Sequence, residues 1–274
     1  MQVEDLNKIK EIIASAASIT DLAERSIKYR NIVGILSRNA IRSNDPLFIE
    51  EGMKIAGMVT DDPSKAYVEI IRAIAKMNRK DKKTFDETIK ITEKIDNDLD
   101  LSVALYEIIF AFGKYGIDKK DEMIYSDSLD LTQTIPMNTY RAMAYRNLSK
   151  IMAEIDPIKS LELLDISIRI LEKSEGIKTI YQIPANCDTS AVMAKLNDNR
   201  SYGFLRKARE MADDIKDDFE KSAVLLKILE TDIEIGKKFN DEKLLDEAAV
   251  ISKGITREYY KTIAKNVFKE LKQL

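Results

Sequence analysis

The sequence predicts an all-α protein, a right-handed α-solenoid of antiparallel helical hairpins with a period of about 38–41 residues. Three observations carry this reading. Turn-forming residues are scarce, with 9 Gly and 5 Pro in 274 residues, too few for a sandwich, barrel or doubly wound sheet of this size. Apolar residues make up 45% and charged residues 33%, a balance that suits amphipathic helices and excludes intrinsic disorder. Two helical patterns of small and aliphatic residues alternate along most of the chain.

The first pattern places Gly52, Ala56 and Val59 at offsets 0, 4 and 7. It returns as Thr88, Thr92, Ile95; Ser128, Thr132, Ile135; Leu163, Ser167, Ile170; Ala208, Ala212, Ile215; and Ala248, Ser252, Ile255. Such offsets share one helix face, and small residues there let a second helix approach closely. The second pattern runs Ala66, Ile70, Ala73; Ala104, Ile108, Ala111; Ala144, Leu148, Ile151; Ala185, Thr189, Val192; and Ser222, Leu226, Leu229. Its starts are 38, 40, 41 and 37 residues apart. Two alternating helix types at that period imply stacked hairpins, roughly six to seven of them.

The connections agree. Asp61-Asp62-Pro63, Asp96-Asn97-Asp98, Pro136-Met137-Asn138 and Lys216-Asp217-Asp218 follow the last aliphatic residue of a first-type helix. They supply N-cap and first-turn residues to the next helix. A single domain over 1–274 is expected, with atypical capping units at about 1–45 and 256–274, where Ser26 and the helix from Glu258 fit the pattern loosely.

This arrangement resembles the tetratricopeptide-like helical-repeat superfamily in its broad sense. The resemblance rests on spacing and small-residue placement over nearly the whole chain. The strict W-x2-LG-x2-Y signature is absent, and the period exceeds that family's roughly 34 residues. It implies a protein- or peptide-binding scaffold that uses a concave wall and performs no catalysis.

Composition narrows the function further. A net charge of −3 argues against a general nucleic-acid binder. No uninterrupted apolar stretch approaches the length of a membrane span, and the opening MQVEDLNKIKEI reads as an amphipathic helix rather than a signal peptide. One cysteine, Cys187, suits a reducing, cytoplasmic setting. The absence of histidine removes the commonest general base and metal ligand.

Four segments invite a chemical reading. Asp96 to Asp100 with Glu107 has the acid spacing of a calcium loop, but Leu101 stands where the turn needs glycine. Asp213-Asp214-Ile215-Lys216-Asp217 matches DDxxD without a second acidic cluster, so it reads as a solvated helix end. Asn78 to Lys83 reads as a basic loop. The run Ile183 to Ser190 occupies a helix slot with poor helix formers; either Pro184 opens a helix or a longer helix from about Gly176 kinks there. Cys187 and Asp188 within it are secondary site candidates.

Counted from Ala66, Ala104, Ala144 and Ala185, offsets 2 and 6 give Val68 and Arg72, Tyr106 and Phe110, Arg146 and Lys150, and Cys187 and Ala191. Arg72, Tyr106, Phe110, Arg146 and Lys150 are therefore the candidate docking wall, expected to face water and to suit a partner with acidic and aromatic segments. A small-molecule or magnesium-dependent carboxylate site in the groove is the alternative, and self-association is compatible with either. No cofactor or metal is expected. Chelation of divalent ions should leave the thermal midpoint unchanged; a drop of several degrees, restored by calcium, would revive the Asp96–Glu107 loop.

Overall fold

The computed structural model describes residues 3–174 and 179–272. Among these the chain forms fourteen α-helices in sequential hairpin-like pairs: α1 (Val3–Ala17), α2 (Leu22–Ser43), α3 (Leu47–Ala56), α4 (Ser64–Lys76), α5 (Lys82–Thr92), α6 (Asp98–Lys119), α7 (Glu122–Thr132), α8 (Asn138–Met152), α9 (Pro157–Lys173), α10 (Thr179–Lys195), α11 (Ser201–Asp213), α12 (Asp218–Phe239), α13 (Glu242–Gly254) and α14 (Glu258–Lys272). The first-type pattern falls on the odd-numbered helices from α3 to α13 and the second-type on the even-numbered helices from α4 to α12. The repeat is real.

The sequence treats the repeats as one domain; packing within the chain divides it into two compact units, Met1–Ala144 and Tyr145–Leu274. In the first, α2, α4 and α6 pack in succession, with α3, α5 and α7 laid on them. In the second, α10, α12 and α14 pack in succession, with α11 and α13 against them and α9 against α10. The small residues do what their size allows: Gly52, Ala56, Thr88, Ser128, Thr132, Ala208, Ala212 and Ala248 are all buried. A methyl at Gly52 would already touch Ile70 at 3.7 Å.

A buried serine sets the spacing between even-numbered helices. Ser26 Oγ accepts hydrogen bonds from the backbone N–H groups of Thr60 and Asp61, each at 3.2 Å. Ser64 Oγ accepts from Asp96 at 3.2 Å, and Ser102 Oγ from Met137 at 3.0 Å. Ser222 Oγ accepts from Thr256 and Arg257, each at 3.2 Å. Each donor lies just before the next even-numbered helix, where N–H groups have no intrahelical acceptor.

That role corrects the register of α12. Ser222 corresponds to Ser64 and Ser102, not to Ala66 and Ala104. The true equivalents of Ala66, Ile70 and Ala73 are Val224, Ile228 and Thr231, all buried, and the assigned register is shifted by two residues. The helices α2, α6 and α12 each have 22 residues and end in a left-handed residue, Asn44, Lys120 and Asn240. Along the Ile183–Ser190 run, α10 continues through Pro184; the expected start near Gly176 lies outside the described residues.

Gly116 and Gly236 stand at matching places near the ends of α6 and α12. Their carbonyls accept from Asp121 and Asp241, each at 2.8 Å, which folds the next helix back tightly. A Cβ at Gly116 would lie 2.7 Å from the backbone nitrogen of Tyr125. Gly203, by contrast, has nothing within 4 Å. Gly116→Ala should therefore destabilise by about 2 kcal/mol, because backbone must move, whereas Gly203→Ala should stabilise by about 0.5 kcal/mol through helix propensity. Urea denaturation of the two variants checks the contrast.

Candidate functional site

In the first unit, Arg72, Tyr106 and Phe110 come together on adjoining α4 and α6. Arg72 pairs with Glu69 on its own helix at 2.9 Å and with Glu107 on α6 at 3.2 Å. Tyr106 is half-buried; its ring lies parallel to Phe110 at 6.4 Å and edge-on to Tyr140 at 6.2 Å. Phe110 is 39% exposed and lines a groove of about 340 Å³ with Ala75, Lys76, Lys80, Lys114 and Tyr115. Glu107 and Asp118 also border it. Glu107 is held by Arg72, so three lysines dominate the rim. Lys80 donates to the Met77 carbonyl, and burial lowers its pKa.

In the second unit, Arg146, Lys150 and Asp188 converge, with Lys227 as a member that the sequence reading missed. Asp188 on α10 is 5% exposed. Arg146 Nε lies 2.8 Å from its Oδ2, while Lys150 Nζ and Lys227 Nζ lie 2.5 and 2.8 Å from its Oδ1. Burial alone would raise the Asp188 carboxyl; Arg146, Lys150 and Lys227 outweigh it and hold the group below the usual carboxylate range. Lys150 is lowered by burial, with Lys227 and Arg146 adding to the effect against Asp188. Burial would lower Lys227 too, but Asp188 raises it.

Arg146 departs from the expectation that it faces water. It is 6% exposed because it serves as a counter-ion to a buried carboxylate. Cys187, beside Asp188, is fully buried and its thiol is pushed up to about 12 by burial, which removes the thiolate that reactivity needs. Counted with the corrected α12 register, offset 3 of the second helix type holds Glu69, Glu107, Asn147, Asp188 and Lys227. Opposite charges at equivalent places on α10 and α12 were the signal for Lys227; the two-residue shift hid it.

A second buried carboxylate lies on α12. Asp232 is fully buried and meets Arg209 at 2.6 Å, and Arg209 also pairs with Glu247. Burial pushes Asp232 up to about 6, which Arg209 offsets only in part.

The other segments are structural. Asn97 caps α6, and Asp98 to Glu107 lie along that helix rather than around a loop. Asp213 ends α11, and Asp217 caps α12. Asn78 to Asp81 form the loop between α4 and α5, and α5 begins at Lys82. Among the described residues no group of three acidic or cysteine side chains is placed to hold a metal ion, and no helix is long and apolar enough to cross a membrane.

Fold and site together define an all-helical repeat protein with polar and aromatic side chains gathered on its even-numbered helices. No protein-family model and no curated protein matches the chain. It is similar to the crystal structure of Ton1535 from Thermococcus onnurineus NA1, at 13% identity and a TM-score of 0.28, over 97% of this chain and 96% of that one.

The two carboxylates predict opposite pH responses. A depressed folded-state pKa at Asp188 contributes stability above the ordinary carboxylate range, lost as pH falls through it. A raised one at Asp232 makes stability fall as pH rises from about 4 to about 6. Asp232→Asn should flatten that limb in urea titrations. Asp188→Asn should weaken the acid limb and cost about 3 kcal/mol at neutral pH, because three cations then face each other without a carboxylate.

Proposed function

We propose that the protein is a non-enzymatic interaction module that docks a peptide with acidic and aromatic residues on the α4–α6 face. The observation that carries this reading is Phe110, 39% exposed in a groove rimmed by Lys76, Lys80 and Lys114. An exposed aromatic costs free energy in water that a partner ring recovers. The lysines supply charge complementarity and faster encounter with an acidic chain. Tyr106 braces Phe110 from one side, and the Arg72–Glu107 pair fixes the groove's edge. Catalysis has no place in this reading, because histidine is absent and Cys187 is buried with a raised thiol pKa.

Fluorescence anisotropy with labelled acidic-aromatic peptides tests the proposal. Phe110→Ala should cost about 2 kcal/mol of binding as the loss of an anchor, with little change in folding. Lys114→Glu should slow association, more at low salt than at high salt. If neither substitution alters peptide binding, the groove is not the docking site.

A further inference from the structure

We propose a second, independent binding site in the Tyr145–Leu274 unit: Lys150 and Lys227, backed by Arg146, receive the dianionic phosphoryl group of phosphate or of a phosphate monoester. It does not rest on the peptide-docking reading. Three cations from α8 and α12 converge on the one Asp188 carboxylate, so the cluster carries more positive charge than its buried counter-ion neutralises. Glu230, half-buried on α12, is electrostatically coupled to Lys227 and Asp188 and reduces the excess without abolishing it.

Geometry makes the excess usable. Both ammonium groups touch the same Asp188 oxygen, which holds them within about 5 Å of each other. Each lysine side chain remains 34% exposed. An ammonium has three N–H donors, and one contact to Asp188 leaves the others free to turn toward an arriving anion. Asp188 thus acts as the positioning residue that orders two flexible side chains before a ligand comes. Tetrahedral phosphate oxygens suit such paired point-charge donors.

Calorimetric titration with inorganic phosphate, at ionic strength held constant with chloride, tests the site. Saturable binding is expected, strengthening as pH rises and the phosphate dianion forms. A neutral peptide carrying one phosphoserine should compete with phosphate if monoesters enter. Lys150→Met and Lys227→Met should each weaken binding about tenfold or more, while Lys227→Arg should retain it. Phe110→Ala should bind phosphate like the parent, which separates this site from the peptide groove. Absence of saturable binding, no gain with rising pH, or parent-like binding by both methionine variants would overturn the proposal. The pH series on the unmodified protein and Lys227→Arg keep the test decisive should a methionine variant unfold.

Discussion

The fold depends on a hydroxyl buried near the start of an even-numbered helix. Ser26, Ser64, Ser102 and Ser222 each accept N–H groups from the turn that leads into the next even-numbered helix. Those amides precede a helix and have no partner within it, and leaving one buried and unsatisfied costs about 1–3 kcal/mol. The bond also ties two helices to each other at a fixed height. That is more than local capping, because it carries the step from one repeat to the next. The even-numbered helices α8 and α10 hold Ala142 and Ile183 at this place and carry a different tie further along. Ser149 bonds Ser160, and Ser190 bonds Ser201, both at a separation of 11 residues, locking each helix to the odd-numbered helix that follows.

These two devices explain what the sequence could reveal. Offsets of 0, 4 and 7 were legible because close helix packing demands small or aliphatic residues at every repeat. The register of α12 was not, because serine satisfies two demands at once. Ser222 is small enough to pass for Ala66, yet its hydroxyl does the work of Ser64 and Ser102. A pattern of size alone cannot separate the two uses. The same hydroxyl shows why α2 is an ordinary repeat helix, since Ser26 carries the anchoring bond while its flanking residues diverge. Of the two readings at Pro184, a new helix or a longer one kinked there, the helix running through Pro184 is the one disfavoured by propensity and supported by burial: Ile183 and every residue from Ala185 to Ala194 are buried.

Exposure along the candidate wall divides for a geometric reason. Offset 2 holds Val68, Arg146 and Cys187, all buried, with Tyr106 half-buried. Offset 6 holds Arg72, Phe110 and Lys150, all with substantial exposure, and the small Ala191, which is buried. Residues four apart on a helix differ by about 40°, enough here for one to face packed neighbours and the other water. A charged residue at offset 2 therefore has to find a buried counter-ion. Arg146 finds Asp188, and the sequence singled out both without joining them.

One ionic step recurs in both units. Arg72 on α4 reaches Glu107 on α6, and Lys150 on α8 reaches Asp188 on α10; in each pair an offset-6 cation meets the offset-3 acid of the next even-numbered helix. What differs is the surrounding charge. In the first unit one arginine meets two carboxylates, Glu69 and Glu107, so the ion pairs are self-contained and the exposed feature beside them is an aromatic ring. In the second unit one carboxylate meets three cations, and the excess faces partly into solvent. The repeat thus supplies a recurring helix geometry, while the balance of charge at offsets 2, 3 and 6 decides whether the exposed feature at a place on it is an aromatic ring or an excess of cations.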